Sequence, residues 1–538
     1  MKSAAQTRAR RKTNQLLQTG KPLKAGRRAS PRAKSPSLGT NGRASHLTPP
    51  ADNHSHSTHS FAANGKAHAA TLARSVESKS GVPVLGPRLL PAKAGDHAAI
   101  HKLLLSLFHG PSSAEFQAQL DEPLYEPTDR LLVKHQSDVV AHLRLTKRLV
   151  RQGPLQLPAA GFMDLATAPE YQGRGFASAL LREGERQAVR DGAVLGLTRT
   201  TAPELFARHG WSVCGRHVFS TAGARQVLAH LRAIAPADFA TGTLENDEEG
   251  LLERLTLHEP RLPVLVRPLR RIEMPAFLRL YEQNMAGTFG STIRTEPFWD
   301  WLMARHAFDR VFVAIVGTDS QELPQCLASV AGYAFVRDGR IVELMTRAGG
   351  GSAIAHRLVA RVCADAIERN LHDVRLDAPP QHPLHQEFVA AGGQGHSCEE
   401  YCGEYCMARL FDPLQTLRAM SGLLHERAKN GGLARPFQLG LEIYSHDSDL
   451  RQATHHDSQA YRLTLTSRSV KLASGKTGRN YLALRRRDLT PLLLGHWKPT
   501  DAFAPGRLRA SNRVAQEAAA ILFPQLPWYR PPLDDLVA

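Results

Sequence analysis

The residues whose spacing carries most chemistry are Glu170-Tyr171-Gln172-Gly173-Arg174-Gly175-Phe176-Ala177-Ser178. They follow an apolar run from Gly161 to Ala168 and open a helical pattern. A strand, a glycine-rich bend and a helix start present bare backbone N–H groups and partial positive charge to an anion. Gly173 and Gly175 keep a Cβ out of the way, and Arg174 adds a charged donor. Two other phosphate patterns do not fit. There is no GxGxxG, and Gly475-Lys476-Thr477 lacks the leading glycine of a P-loop, because that position is Val470. A bend that binds nothing is the competing reading of the glycines.

Gln172, Gly175 and Ala177 do satisfy the pattern Q/R-x-x-G-x-G/A. This resembles the acetyl-CoA pyrophosphate loop of the GNAT N-acetyltransferases. The resemblance implies acetyl-CoA as co-substrate and no metal. It assigns binding to Gln172, Gly173, Arg174, Gly175, Phe176, Ala177 and Ser178, and to the end of the preceding strand at Leu165, Ala166 and Thr167. The family also carries a Tyr-x-x-x-Gly-Phe motif. Here Phe206-Ala207-Arg208-His209-Gly210-Trp211 stands in its place, with Phe206 at the tyrosine position. Amine acetylation needs a proton for the departing sulfur, and Phe206 has no hydroxyl to give. Either water or another group supplies the proton, or the site is slow or dead. His209, Thr200 and Thr201 are alternatives, each with a plain surface role as its rival reading.

Positioning these residues requires a mixed α+β fold. Arg88-Leu89-Leu90 reads as a strand, and Asp96 as the cap of a helix burying Ile100, Leu103, Leu104, Leu107 and Phe108. A second helix is expected over Ser113 to Leu120. Strands follow at Arg130–His135, Val139–Thr146 and Gly161–Ala168. Then come the loop, a helix stopping at Gly192, a strand at Ala193–Thr198 and a short helix at Pro203–His209. The order matches the GNAT fold, and residues 82–221 are read as the catalytic lobe. A connector, 222–261, holds the acidic run Glu245 to Glu249. From Leu262 the order of elements repeats, with an Asp338-Gly339 hairpin turn and Gly349-Gly350-Gly351 before a helix. Residues 262–411 are therefore expected to form a second GNAT-like lobe without the coenzyme A pattern. From 412 to 538 the chain alternates helix and strand, with Asp412-Pro413 starting a helix and Asp488 capping another.

Two such lobes, a sheet-and-helix lobe and the ending Phe523-Pro524 to Leu533-Asp534-Asp535-Leu536 resemble the Eis-type acetyltransferases. The resemblance makes the third lobe sterol-carrier-like. It gives the terminal carboxylate, that of Ala538, a role as proton acceptor; a terminus simply packed on the surface is the rival. The expected activity is transfer of acetyl from acetyl-CoA to a primary amine, either a small amine or a protein lysine. The alternative is a weak or inactive coenzyme A-binding interaction protein. Family members often assemble, so a homo-oligomer is expected.

Charge separates the tail from the body. Of the net +18, residues 1–80 carry +13, with 15 Lys/Arg against 2 Asp/Glu. Residues 1–81 are expected to be disordered, since they lack the apolar periodicity to offset chain entropy. A nucleic-acid tether, a targeting peptide and a plain solvated tail all stay open for this segment. No apolar run is long enough to span a bilayer, so no membrane role is expected. The six cysteines are sparse and read as reduced thiols in the cytoplasm. Cys398, Cys402 and Cys406 lack the second pair a zinc site needs and read as simple thiols.

Overall fold

The computed structural model describes residues 86–236, 264–317, 319, 322–348, 351–444 and 458–535. All belong to the compact unit Leu72–Ala538. The tail and the acidic connector run lie outside the described residues.

The first stretch runs β1 (Arg88–Pro91), α1 (His97–Phe108), α2 (Ser113–Leu120), β2 (Arg130–His135), β3 (Asp138–Gln152), β4 (Leu155–Thr167) and α3 (Phe176–Arg190). It continues with β5 (Leu195–Thr200), α4 (Pro203–Ala207), β6 (Ser212–Val213), β7 (His217–Gly223) and α5 (Ala224–Ile234). α1 buries Ile100, Leu103 and Leu104, but Phe108, expected inside, is 55% exposed at its end. Asp96 precedes α1 without capping it. Its carboxylate accepts from Lys93 N and pairs with Lys134. Ser112 does cap α2, accepting from Glu115 N at 3.2 Å while Glu115 reaches back to Ser112 N. This reciprocal box satisfies two orphan donors. β3 and β4 are far longer than the apolar alternation suggested, pairing from Gln152↔Leu155 to Ala141↔Thr167.

The second stretch contains β8 (Val264–Pro268), α6 (Met274–Met285), β9 (Phe289–Thr292), α7 (Glu296–Ala304), β10 (Arg310–Val316), α8 (Leu323–Ser329), β11 (Val330–Arg337) and β12 (Arg340–Thr346). It closes with α9 (Gly351–Glu368), β13 (Asp373–Leu376), α10 (Leu384–Ala390), β14 (Gln394–Cys398), β15 (Glu400–Tyr401) and β16 (Glu404–Leu410). The third has α11 (Pro413–Ala419), α12 (Ser421–Asn430), β17 (Phe437–Tyr444), β18 (Ser458–Leu465), β19 (Val470–Ser474), β20 (Tyr481–Arg485), α13 (Arg486–Leu493), α14 (Pro499–Phe503), β21 (Leu508–Ala510) and α15 (Arg513–Leu522). Asp412 caps α11 as expected, accepting from Leu414 N and Gln415 N. Asp488 does not cap α13; it lies inside the first turn and pairs with Arg485.

The described residues form three sheets. One is ordered β1-β2-β3-β4-β5-β16-β15, with β6 on β16 and β9 on β3. The next is β14-β7-β13-β12-β11-β10-β8, and the last β19-β18-β17-β20-β21. The first two exchange strands. β7 inserts between β13 and β14, and β16 returns to pair with β5 from Leu410↔Leu195 to Tyr405↔Thr200. Cuts after residues 221 and 411 therefore isolate neither of these two sheets. Hydrogen bonding across a strand edge is blind to position in the chain, so a linear reading cannot see the exchange.

α3 packs Phe176, Leu180, Leu181 and Ala188 onto one face of the first sheet, with Leu131, Leu143, Phe162 and Trp211. α1 and α2 cover the other face through Ile100, Leu104 and Phe116. A single apolar cluster joins Leu195, Leu197 and Leu410 to the third sheet's Leu439, Leu441 and Leu482. The last described segment, after α15, crosses the first two sheets. Trp528 lies against Gly290, and Tyr529 N donates to Phe289 O at 2.8 Å.

Candidate active site

β4 and β5 run parallel, paired only at Ala159↔Leu195, Ala160↔Gly196 and Gly161↔Leu197. Beyond that point β5 stays with β16 while β4 stays with β3, so the two strands part. Thr198 Oγ1 donates to Phe162 O at 2.8 Å at the crotch of this fork. A register shift between His142 and Arg144 places extra β4 residues opposite Leu143, and Asp164 takes a φ of 53° there. Such a bulge bends its strand and re-aims it. Leu165, Ala166 and Thr167 form the arm of β4 beyond the bulge. Thr167 Oγ1 is buried and has no hydrogen-bond partner among the described residues.

The loop carries on from that arm. Pro169–Tyr171 form one 3-10 turn, Gln172 is extended, and Gly173 and Gly175 have φ of 73° and 82°. A side chain at either glycine would meet nothing within 4 Å. Their conformation and the open space above them account for glycine at both positions. Gly175 is the N-cap of α3 and offers no side-chain cap. The first intrahelical bond is Ala179 N to Gly175 O. The N–H groups of Phe176, Ala177 and Ser178 thus begin the helix without a partner inside it, which is the electrostatic setting for an anion. Gln172 Nε2 donates to Thr167 O at 3.3 Å, tying the loop to the arm. Arg174 is exposed and folds back along the loop, donating to Glu170 O and lying 5.0 Å over the Tyr171 ring. The space, the bare amides and the orphan hydroxyl fit a diphosphate carried on an extended arm.

The proton-transfer candidates are scattered. Phe206 is 2% exposed and packs edge-on to Trp211 within the α3 core. His209 lies at the end of α4, and burial together with Arg182 holds its imidazole below the usual range. Thr200 Oγ1 accepts from Ala202 N, and Thr201 is exposed. Ala538 lies outside the described residues. Among the described residues, no group of three His, Cys, Asp or Glu is arranged to hold a metal. His396 stacks on Phe219 rather than turning to the nearby cysteines.

A polar cleft that the residue pattern had not suggested opens beside the bulge. It is lined by Glu122, Arg144, Arg148, Met163, Asp164, Arg305, Arg530, Asp534 and Asp535 among others. Arg144 donates to Asp164 at 2.9 Å and to Glu122 at 3.0 Å. Burial works to raise the Asp164 carboxyl, but Arg144 holds it below the usual range. His142, fully buried under the bulge, donates from Nδ1 to Asp164 O at 2.9 Å and accepts at Nε2 from Arg130 at 3.2 Å. Burial, and then Arg130, push its imidazole down to about 3, so it is neutral. Asp534 is held from behind. Arg294 donates to it at 2.8 Å and to Glu343, all three being buried and Arg294 stacked over Tyr281 and Trp299. No spacing rule joins residues 122, 164, 305 and 534. The only available signal was the acidic pair Asp534-Asp535 near the end of an otherwise apolar segment.

Residues 88–214 match the family model described as an acetyltransferase (GNAT) domain. No curated protein sequence matches the chain. Solved structures share the fold well beyond that domain. A GCN5-related N-acetyltransferase from Anabaena variabilis is 14% identical with a TM-score of 0.58, covering 82% of this chain and 99% of its own. Another from Kribbella flavida is 16% identical with a TM-score of 0.57, at 82% and 97% coverage. Eis1 from Mycobacterium abscessus is 14% identical with a TM-score of 0.51, at 81% and 97% coverage. The split pair β4 and β5, the bulge and the uncapped α3 all lie within the matched residues, and this chain carries a GNAT-superfamily acetyltransferase domain, making it a GNAT-type acyltransferase.

Proposed function

We propose that the protein transfers the acetyl group of acetyl-CoA to a primary amine, and that it is built as an Eis-type chain with two GNAT-like lobes and a sterol-carrier-like third. The observation that carries the reading is the parting of β4 from β5 beyond Gly161 and Leu197, ending in the open bend at Gly173 and Gly175. The lobe assignment is supported by the parallel pair that recurs at β12 and β13, and by a separate third sheet over residues 437–510. A cytoplasmic setting belongs to the same proposal, six cysteines in 538 residues being sparse for a disulfide framework.

Bound acetyl-CoA supplies an acetyl group activated as a thioester. The amides of Phe176, Ala177 and Ser178, and the bend at Gly173, seat the diphosphate. Leu165 to Thr167 hold the extended arm, and Thr167 Oγ1 offers it a hydrogen bond. The acceptor nitrogen approaches from the polar cleft at Met163 and Asp164. A C–N bond forms as the C–S bond breaks, the nitrogen loses a proton and the sulfur gains one. Phe206 cannot give that proton, which leaves it to water or another group. The base carried over from the resemblance is the carboxylate of Ala538; Asp534 and Asp535, which line the cleft, support a carboxylate in that role.

A second reading, a coenzyme A-binding interaction protein of little activity, is favoured by the apolar setting of Phe206. Free thiol release across a panel of amines, with calorimetry on acetyl-CoA, decides between them. Release above the amine-free rate supports transfer. Heat without release supports the second reading. No heat from folded protein removes both.

A further inference from the structure

The charges of the polar cleft are unevenly spent. Glu122 serves Arg144 and Arg148. Asp164 serves Arg144. Asp535 serves Arg199 at 3.2 Å and Arg530 at 2.7 Å. Asp534 serves Arg294. Arg305 is different. Its guanidinium donates to the carbonyls of Leu533 and Asp534 and has no carboxylate partner among the described residues. It lies 4.5 Å over the Trp301 ring, as Arg148 lies 4.9 Å over Phe298. A guanidinium stacked by its face keeps its N–H edges for a planar anion. Three buried Nε groups of this one cleft, those of Arg148, Arg305 and Arg530, have no hydrogen-bond partner among the described residues. Buried donors left unmet are costly, and a ligand oxygen is one way to meet them.

Glu122, Asp164, Asp534 and Asp535 each already face a guanidinium, although Glu122 Oε1 and Asp534 Oδ2 accept no hydrogen bond among the described residues, and Glu115, which caps α2, has no ion pair there. Of the guanidinium groups lining the cleft, that of Arg305 is the one no carboxylate of the described residues pairs with. We propose that the acceptor is a small amine that also bears an anionic group, a carboxylate or phosphate, seated on Arg305 with Arg148 and Arg530 beside it. The proposal rests on the reading of this cleft as the acceptor side of the acetyl transfer. The anion fixes one end of the molecule, and the amine then reaches the bulge at Met163 and Asp164.

Matched pairs of amines test it: glycine against glycinamide, a longer amino acid against its amide, and O-phosphoethanolamine against ethanolamine. The readout is kcat/KM for thiol release from acetyl-CoA, backed by calorimetric titration of each amine into protein saturated with coenzyme A. A charge-assisted contact is worth roughly 10- to 100-fold, so the acid of at least one pair should be preferred by that factor. The pair that responds separates carboxylate from phosphate. Arg305→Gln should collapse the preference to within about 2-fold, and Arg305→Lys should recover part of it, as expected for a point charge replacing a fork. Because Arg305 also holds the 533–534 carbonyls, each variant is first checked for a wild-type melt; Arg148→Gln, with the same expected direction, replaces one that fails. Equal rates and equal heats for acid and amide in every pair overturn the proposal. Should no amine release thiol, the transfer reading falls, and the seat is judged by heat alone. Binding of an acid lost in Arg305→Gln sustains it, and equal binding of acid and amide overturns it.

Discussion

Replacing Gly175 by alanine separates backbone strain from ligand binding. Gly175 has φ 82° and ψ 7°, a left-handed conformation costing an L-residue roughly 1–2 kcal/mol. Nothing lies within 4 Å of the added Cβ, so no packing penalty joins that cost. The methyl instead projects into the space in front of the α3 amides. If it displaces one charge-assisted hydrogen bond from the diphosphate, coenzyme A affinity falls by roughly 10- to 100-fold. Gly192, just past the other end of the same helix, supplies the control. Its φ is 87° and its added Cβ also meets nothing within 4 Å. Gly192→Ala should lower the melting temperature as much as Gly175→Ala and leave coenzyme A binding at the wild-type value. Differential scanning calorimetry and titration with coenzyme A measure both quantities on both variants. Wild-type affinity in Gly175→Ala, or an equal loss in the two variants, would refute a diphosphate seat at this bend.

Gly196→Ala should be destabilising for a different reason. Its Cβ would stand 2.6 Å from Trp211 and 2.7 Å from Phe411, an overpacking worth about 1–3 kcal/mol, visible as a lowered melting temperature. Asp534→Ala leaves the buried Arg294 with Glu343 alone, and breaking such a group costs about 3–5 kcal/mol. Hydrogen exchange should then rise first in residues 524–535. Acid should weaken the fold through His142. Its folded pKa, about 3, lies below the unfolded value, so the unfolded chain binds the extra proton. Stability is complete above about pH 6.5 and declines as pH falls toward 3, by up to about 1.4 kcal/mol per unit. His382, pushed to about 4 by burial, acts in the same sense. The decline of the denaturant midpoint across that range should be shallower in His142→Asn than in the wild type, with the part due to His382 remaining. Finally, a fragment of residues 82–221 lacks β16 and leaves β5 without one neighbour. It should aggregate when expressed alone, whereas a chain extending through Leu410 supplies the missing strand.

The loop was legible because its chemistry is local. Gly173 and Gly175 are needed by the backbone within a few residues of where they stand, and the start of α3 follows directly. The apolar periodicity that placed α1 and α2, and the element order of the first stretch, are equally short-range signals. Sequence also displayed the absence of a hydroxyl at Phe206. What it could not display were pairings between distant segments. The exchange of β7 and β16 depends on which exposed edge each strand meets. The Asp164 bulge arises from a register that neither β3 nor β4 encodes alone. The cleft draws Glu122, Asp164, Arg305 and Asp534 from four separate parts of the chain. Which carboxylates are spent and which guanidinium remains is a matter of distances in space, and Coulomb and hydrogen-bond energies fall off over ångströms rather than residues. The sequence by itself determined the bend at Gly173 and Gly175 and the helix start behind it; only tertiary packing decided which charges line the cleft beside the bulge.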